Sequence, residues 1–189
     1  MTYDKLWKLA KPYYMRGRPN DVAHVEWMLE AGIEVCKHEK IDDTLFLPLI
    51  ILHDIGYAEV GKGNSFALDR RKEHMKIGAN IAKELLEKLS YPSAKVEKIA
   101  YYVGVHDNWA LDEYSVYKDS LLAAFTDLDF LWMATPKGFE VVRKELRYTR
   151  ERMITFLAKD KKHIKAPFAT ETTKNMYHDL MNSLRTQTD

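Results

Sequence analysis

Four histidines, His24, His53, His74 and His106, stand out for their chemistry, with Asp54 directly after the second and the close pair Asp127 and Asp129 further on. Neutral imidazole and carboxylate together suit borderline divalent metals such as iron, manganese, cobalt, nickel or zinc, so the set reads as a metal site. The dipeptide His-Asp is not diagnostic by itself, since it recurs as His106-Asp107 and His178-Asp179. The surroundings of each copy separate them.

The elements that must carry these residues are legible as helices. Residues 45–55 are almost wholly apolar, the mark of an inner helix, and His53-Asp54 arrives just before Gly56, where a glycine stop would end it. Adjacent helical side chains diverge by roughly 100°, so two neighbours reach one ion most readily where a last turn opens. A charged Asp on such a helix is expensive unless it is paired or bound to metal. His74, four before Gly78, continues into Ile81, Ala82, Leu85 and Leu89 and points inward near the start of an amphipathic helix. His106 aligns with Val96, Ile99 and Val103 at the far end of its helix, and His24 shares a face with Met28, Ala31 and Val35 over residues 21–36. Any one of them alone is an ordinary core histidine. Four on apolar faces, each near a helix end, call for a common partner.

A helix expected over residues 118–134 carries a stripe of Leu121, Leu122, Phe125, Leu128, Trp132 and Met133, which contains Asp129 and leaves Asp127 on the opposite side. Asp129 is therefore the favoured ligand. Asp127 is then an outer or solvent carboxylate, and the alternative is the reverse, with Asp127 as the ligand. His38, His163 and His178 lie in charged or flanking positions and read as surface residues.

Helical stripes extend over the whole chain, broken at residues 16–19, 61–64, 91–93 and 135–138, and no alternating strand pattern persists; a single all-α bundle is expected. Ser93 is expected to cap the helix of His106, and Thr135-Pro136 to open a charged, solvated helix reaching about residue 158. A basic loop over 159–167 and a last helix over 173–184 should follow. With 29 basic and 28 acidic residues in 189, there is no field favouring long nucleic acid or a membrane surface. No apolar run approaches the ~20 residues of a membrane span, and residues 1–4 lack signal character, which points to a cytoplasmic location. The single Cys36 cannot form an internal disulfide and reads as packing beside Met28 and Ile33. The sequence carries no signal of oligomeric state.

The segments Asn20-Asp21-Val22-Ala23-His24, Leu52-His53-Asp54-Ile55-Gly56-Tyr57, His74 with Gly78, Val103-Gly104-Val105-His106 and Leu128-Asp129 are similar to the HD superfamily of metal-dependent phosphohydrolases, whose pattern is a histidine, a later His-Asp pair and a distant Asp. The resemblance covers about residues 18–136 and leaves 137–189 as a C-terminal helical extension. It resembles most the two-metal members. What it implies is a first ion held by His24, His53, Asp54 and Asp129, and a second held by His74 and His106 with Asp54 as the shared, catalytically central bridge. One departure is His106-Asp107, where some two-metal relatives carry His-His. The Gly-Tyr-Pro segment of cyclic-dinucleotide phosphodiesterases is also absent, which argues against that substrate.

The chemistry so implied is hydrolysis of a small phosphoester or phosphoanhydride, a nucleotide being the class the resemblance suggests, with activity falling at acid pH as the histidines protonate. Lys62 in Gly61-Lys62-Gly63-Asn64, Arg71 just before His74, and Arg18 just before His24 are candidates to hold the phosphate, with an exposed basic surface as the plain alternative. Arg16, Arg70 and Lys72 stand close to the same positions, and Trp109, Tyr101, Tyr102 and Trp132 could stack a base or belong to the core. The same six ligands also resemble the HD-fold di-iron oxygenases, which act on a small alcohol. A nucleotide sensor without turnover is a third reading, weakened because no ligand of the motif is lost.

Overall fold

A computed structural model describes residues 3–61, 63–64, 66–159 and 167–186. Within them the chain is all-α, in this order: α1 (Tyr3–Gly17), α2 (Asp21–His38), α3 (Asp43–Leu52), a 3-10 turn (Ile55–Ala58), α4 (Leu68–Lys88), α5 (Ser93–Val105), two further 3-10 turns (Asn108–Leu111 and Tyr114–Lys118), α6 (Ser120–Trp132), α7 (Pro136–Leu146), α8 (Arg150–Ala158) and α9 (Glu171–Thr186). No strand occurs among the described residues, and none of the helices is long and apolar enough to cross a membrane.

The apolar run forms the central helix. Every residue from Leu45 to Leu52 is buried, because α1, α2, α5 and α6 pack around α3. Asp42 caps it by accepting from Thr44 N at 3.0 Å. Pro48 inside this helix removes the hydrogen bond that would end on Thr44 O. The Tyr91 hydroxyl donates to that carbonyl instead, and the Tyr14 hydroxyl donates to Ile51 O at 2.8 Å near the other end.

Four sequence expectations change. The helix stops at Leu52, four residues before Gly56, and Gly56 does not have positive φ. Gly56 is instead a point of close approach: a Cβ there would lie 2.0 Å from His74 O and 2.6 Å from Gly78 N. The charged helix expected to reach residue 158 is two helices, because Arg147 turns left-handed (φ 55°) and Thr149 caps a new start by accepting from Arg152 N at 3.2 Å. Ser93 is the first residue of α5 without a side-chain cap; Pro92 O receives the first amides. Thr135 does cap α7, accepting from Gly138 N at 3.0 Å. Ile33, expected to share a packed face with Cys36, is 43% exposed, while Cys36 is partly buried against the core.

Candidate metal centre

His53 and Asp54 sit where α3 unwinds. His53 keeps helical dihedrals (φ −56°, ψ −48°) while Asp54 (φ −97°, ψ 6°) leaves the helix, and this bend lets both neighbours face one point. His106 occupies the same place at the end of α5. His74 lies in α4, brought alongside by the contact of Gly56 with the α4 backbone.

Backbone hydrogen bonds orient three of the rings. His53 Nδ1 lies 2.9 Å from Ile50 O, His106 Nδ1 2.8 Å from Val103 O, and His74 Nδ1 3.1 Å from Arg70 O. A carbonyl can only accept, so each Nδ1 carries the proton and, in the neutral ring, each Nε2 presents a lone pair. These lone pairs converge. His74 Nε2 and His106 Nε2 face each other at 3.3 Å, and Asp54 Oδ1 lies 3.3 Å and 3.5 Å from them. The other oxygen, Asp54 Oδ2, lies 3.5 Å from His53 Nε2. Asp54 thus offers one oxygen to each of two groups that could hold a metal: His24, His53 and Asp54, and Asp54, His74 and His106.

Asp129 lies beside the first group, with Oδ1 3.3 Å from His24 Nε2 and 4.0 Å from His53 Nε2. Neither His24 Nε2 nor His53 Nε2, both buried, has an aligned hydrogen-bond partner. Two inward lone pairs in contact and two buried nitrogens without partners fit a donor set built for cations.

Electrostatics follow the same layout. Burial alone would raise the Asp54 carboxyl, but His53, His106 and His74 around it hold it well below the carboxylate range. Burial also opposes protonation of His53, yet Asp54 and then Asp129 raise it to about 9. His106 is raised by Asp54 and Asp107 against its burial. His24 is lowered by burial, with Asp129 opposing.

The two helix-face expectations for α6 divide. Asp129 does face the histidines. Asp127 does point the other way but is buried, not solvated: it accepts from Ala169 N at 2.7 Å and Thr173 Oγ1 at 2.9 Å, tying α9 to α6.

Of the phosphate candidates, Arg18 and Arg71 line the cavity that also contains Asp54, His24 and Asp129, while Lys62 lies outside the described residues. Arg18 Nη1 is 3.9 Å from Asp54 Oδ2, and its guanidinium lies 4.7 Å from the Tyr57 ring, which stacks on His74 at 4.0 Å and 9°. Arg71 Nη1 pairs with Asp107 Oδ2 at 2.6 Å and its guanidinium lies 4.9 Å from the Trp109 ring. Arg16 pairs with Glu59 and Arg70 bonds Gly61 O; neither lines the cavity. Trp109 and Trp132 line it too, whereas Tyr102 is core and Tyr101 is 53% exposed.

Three residues at the site were not singled out as functional from sequence. Asp21 Oδ2 is buried 3.0 Å from Arg18 Nε without hydrogen-bonding alignment, and burial pushes this carboxyl up to about 7; the Arg18/Asp21 spacing of three was its only signal. Asp107 holds Arg71, and Tyr57 separates Arg18 from His74.

In the C-terminal extension the charged residues Lys144, Glu145, Arg147 and Glu151 are exposed, as expected of a solvated face, while Val141, Val142, Tyr148, Arg152 and Phe156 form part of the cavity wall. A scan against protein-family models finds no match, and searches of curated proteins and of solved structures find none either.

Proposed function

We propose that this chain is a hydrolase of small phosphoesters or phosphoanhydrides with two divalent transition-metal ions, of the type the HD resemblance implies. The observation that carries the reading is Asp54, whose two oxygens each complete a separate group of inward nitrogens and which itself lines a cavity that also presents His24, Arg18 and Arg71. Two ions, when bound, would supply Lewis-acid charge for phosphoryl oxygens and lower the pKa of water between them.

The chain's own residues do the rest. Arg18 and Arg71 stand at the cavity surface with guanidinium planes backed by Tyr57 and Trp109, so they can receive phosphate oxygens with little loss of side-chain freedom. Asp107 holds Arg71 in place, and Asp21 does so for Arg18. The Nδ1 bonds of His53, His74 and His106 keep their rings from turning. Two arginines beside the acidic centre, although paired with Asp21 and Asp107, favour an anionic substrate, which supports this reading over oxidation of a neutral alcohol by a di-iron oxygenase.

Phosphate-ester turnover by protein reconstituted with manganese or cobalt tests it: hydrolysis of bis-p-nitrophenyl phosphate without oxygen is expected. Absence of hydrolysis, together with substrate-dependent oxygen uptake by the iron form, would overturn it in favour of the oxygenase.

A further inference from the structure

The cavity has a volume of about 660 Å³, well beyond what a phosphoryl group needs and within the range of sites for whole small molecules. Its lining differs in chemistry from element to element. Asp54, Asp129, Arg18 and Arg71 are its charged residues around the candidate metal centre. The end of α6 and helices α7 and α8 contribute Met133, Val141, Val142 and Phe156, whose side chains offer no conventional hydrogen-bond donor or strong acceptor, with the Tyr148 and Thr155 hydroxyls among them. Trp132 also lines the cavity and stacks on the His24 ring at 5.2 Å and 19°. Arg152 and Lys159, both exposed, add positive charge at the solvent side.

We propose that this apolar chamber, built from the end of α6 and from α7 and α8, receives an alkyl or aryl arm carried by the phosphorylated substrate. The proposal rests on the hydrolase reading above for what the charged residues around the metal centre do. A hydroxyl-rich or strongly polar arm entering between Val141, Val142 and Phe156 would lose its hydration with only the Tyr148 and Thr155 hydroxyls nearby to replace it. An apolar arm would gain from burial there while its phosphate stayed beside Arg18 and Arg71. The C-terminal extension is then a specificity element, and its charged residues face away from the chamber or ring its rim.

Binding of n-alkylphosphonates from methyl to octyl, measured by calorimetry on the full chain reconstituted with manganese, tests the chamber separately from turnover. Affinity should climb by up to about fourfold per methylene, and at least about a hundredfold across the series. Val141→Asp, and independently Phe156→Ser, should flatten that climb, with the helical circular dichroism of each variant confirming its fold. A flat series in the unaltered protein, no binding at all, or tighter binding of adenosine 5′-monophosphate than of octylphosphonate would overturn the proposal. A climbing series in a protein that hydrolyses no phosphoester would leave the chamber standing and remove the hydrolase. Hydrolysis of bis-p-nitrophenyl phosphate with a flat series would do the reverse.

Discussion

Replacing each acidic residue of α6 in turn separates a metal ligand from a structural anchor on the same helix. Asp129 Oδ1 lies 3.3 Å from His24 Nε2 and 4.0 Å from His53 Nε2. Asp129→Ala removes one unit of negative charge from beside any ion held there. A unit charge pair at 4 Å is worth about 4 kcal/mol at an effective dielectric of 20, so the first ion should bind at least about a thousandfold more weakly. Asp127→Ala instead removes the acceptor of Ala169 N, at 2.7 Å, and of the Thr173 hydroxyl, at 2.9 Å, the latter keeping Thr170 O at 3.1 Å as another acceptor. One lost hydrogen bond to a charged group costs about 1.5–3 kcal/mol, and a chain of this size loses roughly 2–4 °C of melting temperature per kcal/mol. The expected drop is therefore roughly 3–12 °C, with metal content unchanged. Elemental analysis of both variants, and calorimetric melting of their metal-free forms so that lost metal cannot mimic lost packing, make the comparison. If Asp127→Ala loses metal while Asp129→Ala retains it, the assignment of faces is refuted.

Asp54→Ala should abolish binding of both ions, because its oxygens serve both groups, whereas His106→Ala should leave one ion per chain by elemental analysis. Gly56→Ala should weaken chiefly the second ion, since the added methyl would lie 2.0 Å from His74 O and must push α4 away; metal titration of the folded variant reads this directly. In the metal-free protein the raised His53 contributes stability that is fully present below its ordinary 6.5 and is lost as pH rises through about 9; metal must displace that proton, so apparent affinity should rise about tenfold per pH unit over the same window and level off above it. An affinity independent of pH there would contradict the Asp54–His53 coupling. Arg71→Ala should raise KM for a phosphoester by about tenfold or more while metal content holds, and an unchanged KM would remove Arg71 from phosphate binding.

The site was legible because its residues break the pattern of the helices that carry them. A histidine within an apolar stripe is visible against Ile81 and Leu85, or against Val96 and Ile99, and the 3.6-residue period states which way it points. The same period separated Asp129 from Asp127 correctly in direction. It could not say that Asp127 would be buried, because that depends on α9 returning to cover it from 46 residues away, through Thr173. Gly56 shows a similar limit. Its smallness is visible in sequence, but whether it ends a helix or admits another backbone is decided by where α4 packs.

The C-terminal extension was the least legible part, and the reason is geometric. Val141 and Val142 stand among Glu140, Arg143, Lys144 and Glu145, so the helix reads as solvated with a narrow apolar edge. The left-handed Arg147 then turns the chain, and α8 brings Phe156 to the same cavity as Val141 and Val142. Neither helix has enough apolar surface to signal a pocket by itself; the apolar wall exists only once both lie against Trp132 and Met133 of the α6 end. Residues that could hold a metal are written one at a time, each by its own helical phase, whereas a cavity wall is shared among elements that only tertiary packing brings together. The candidate metal centre was therefore readable before the cavity beside it.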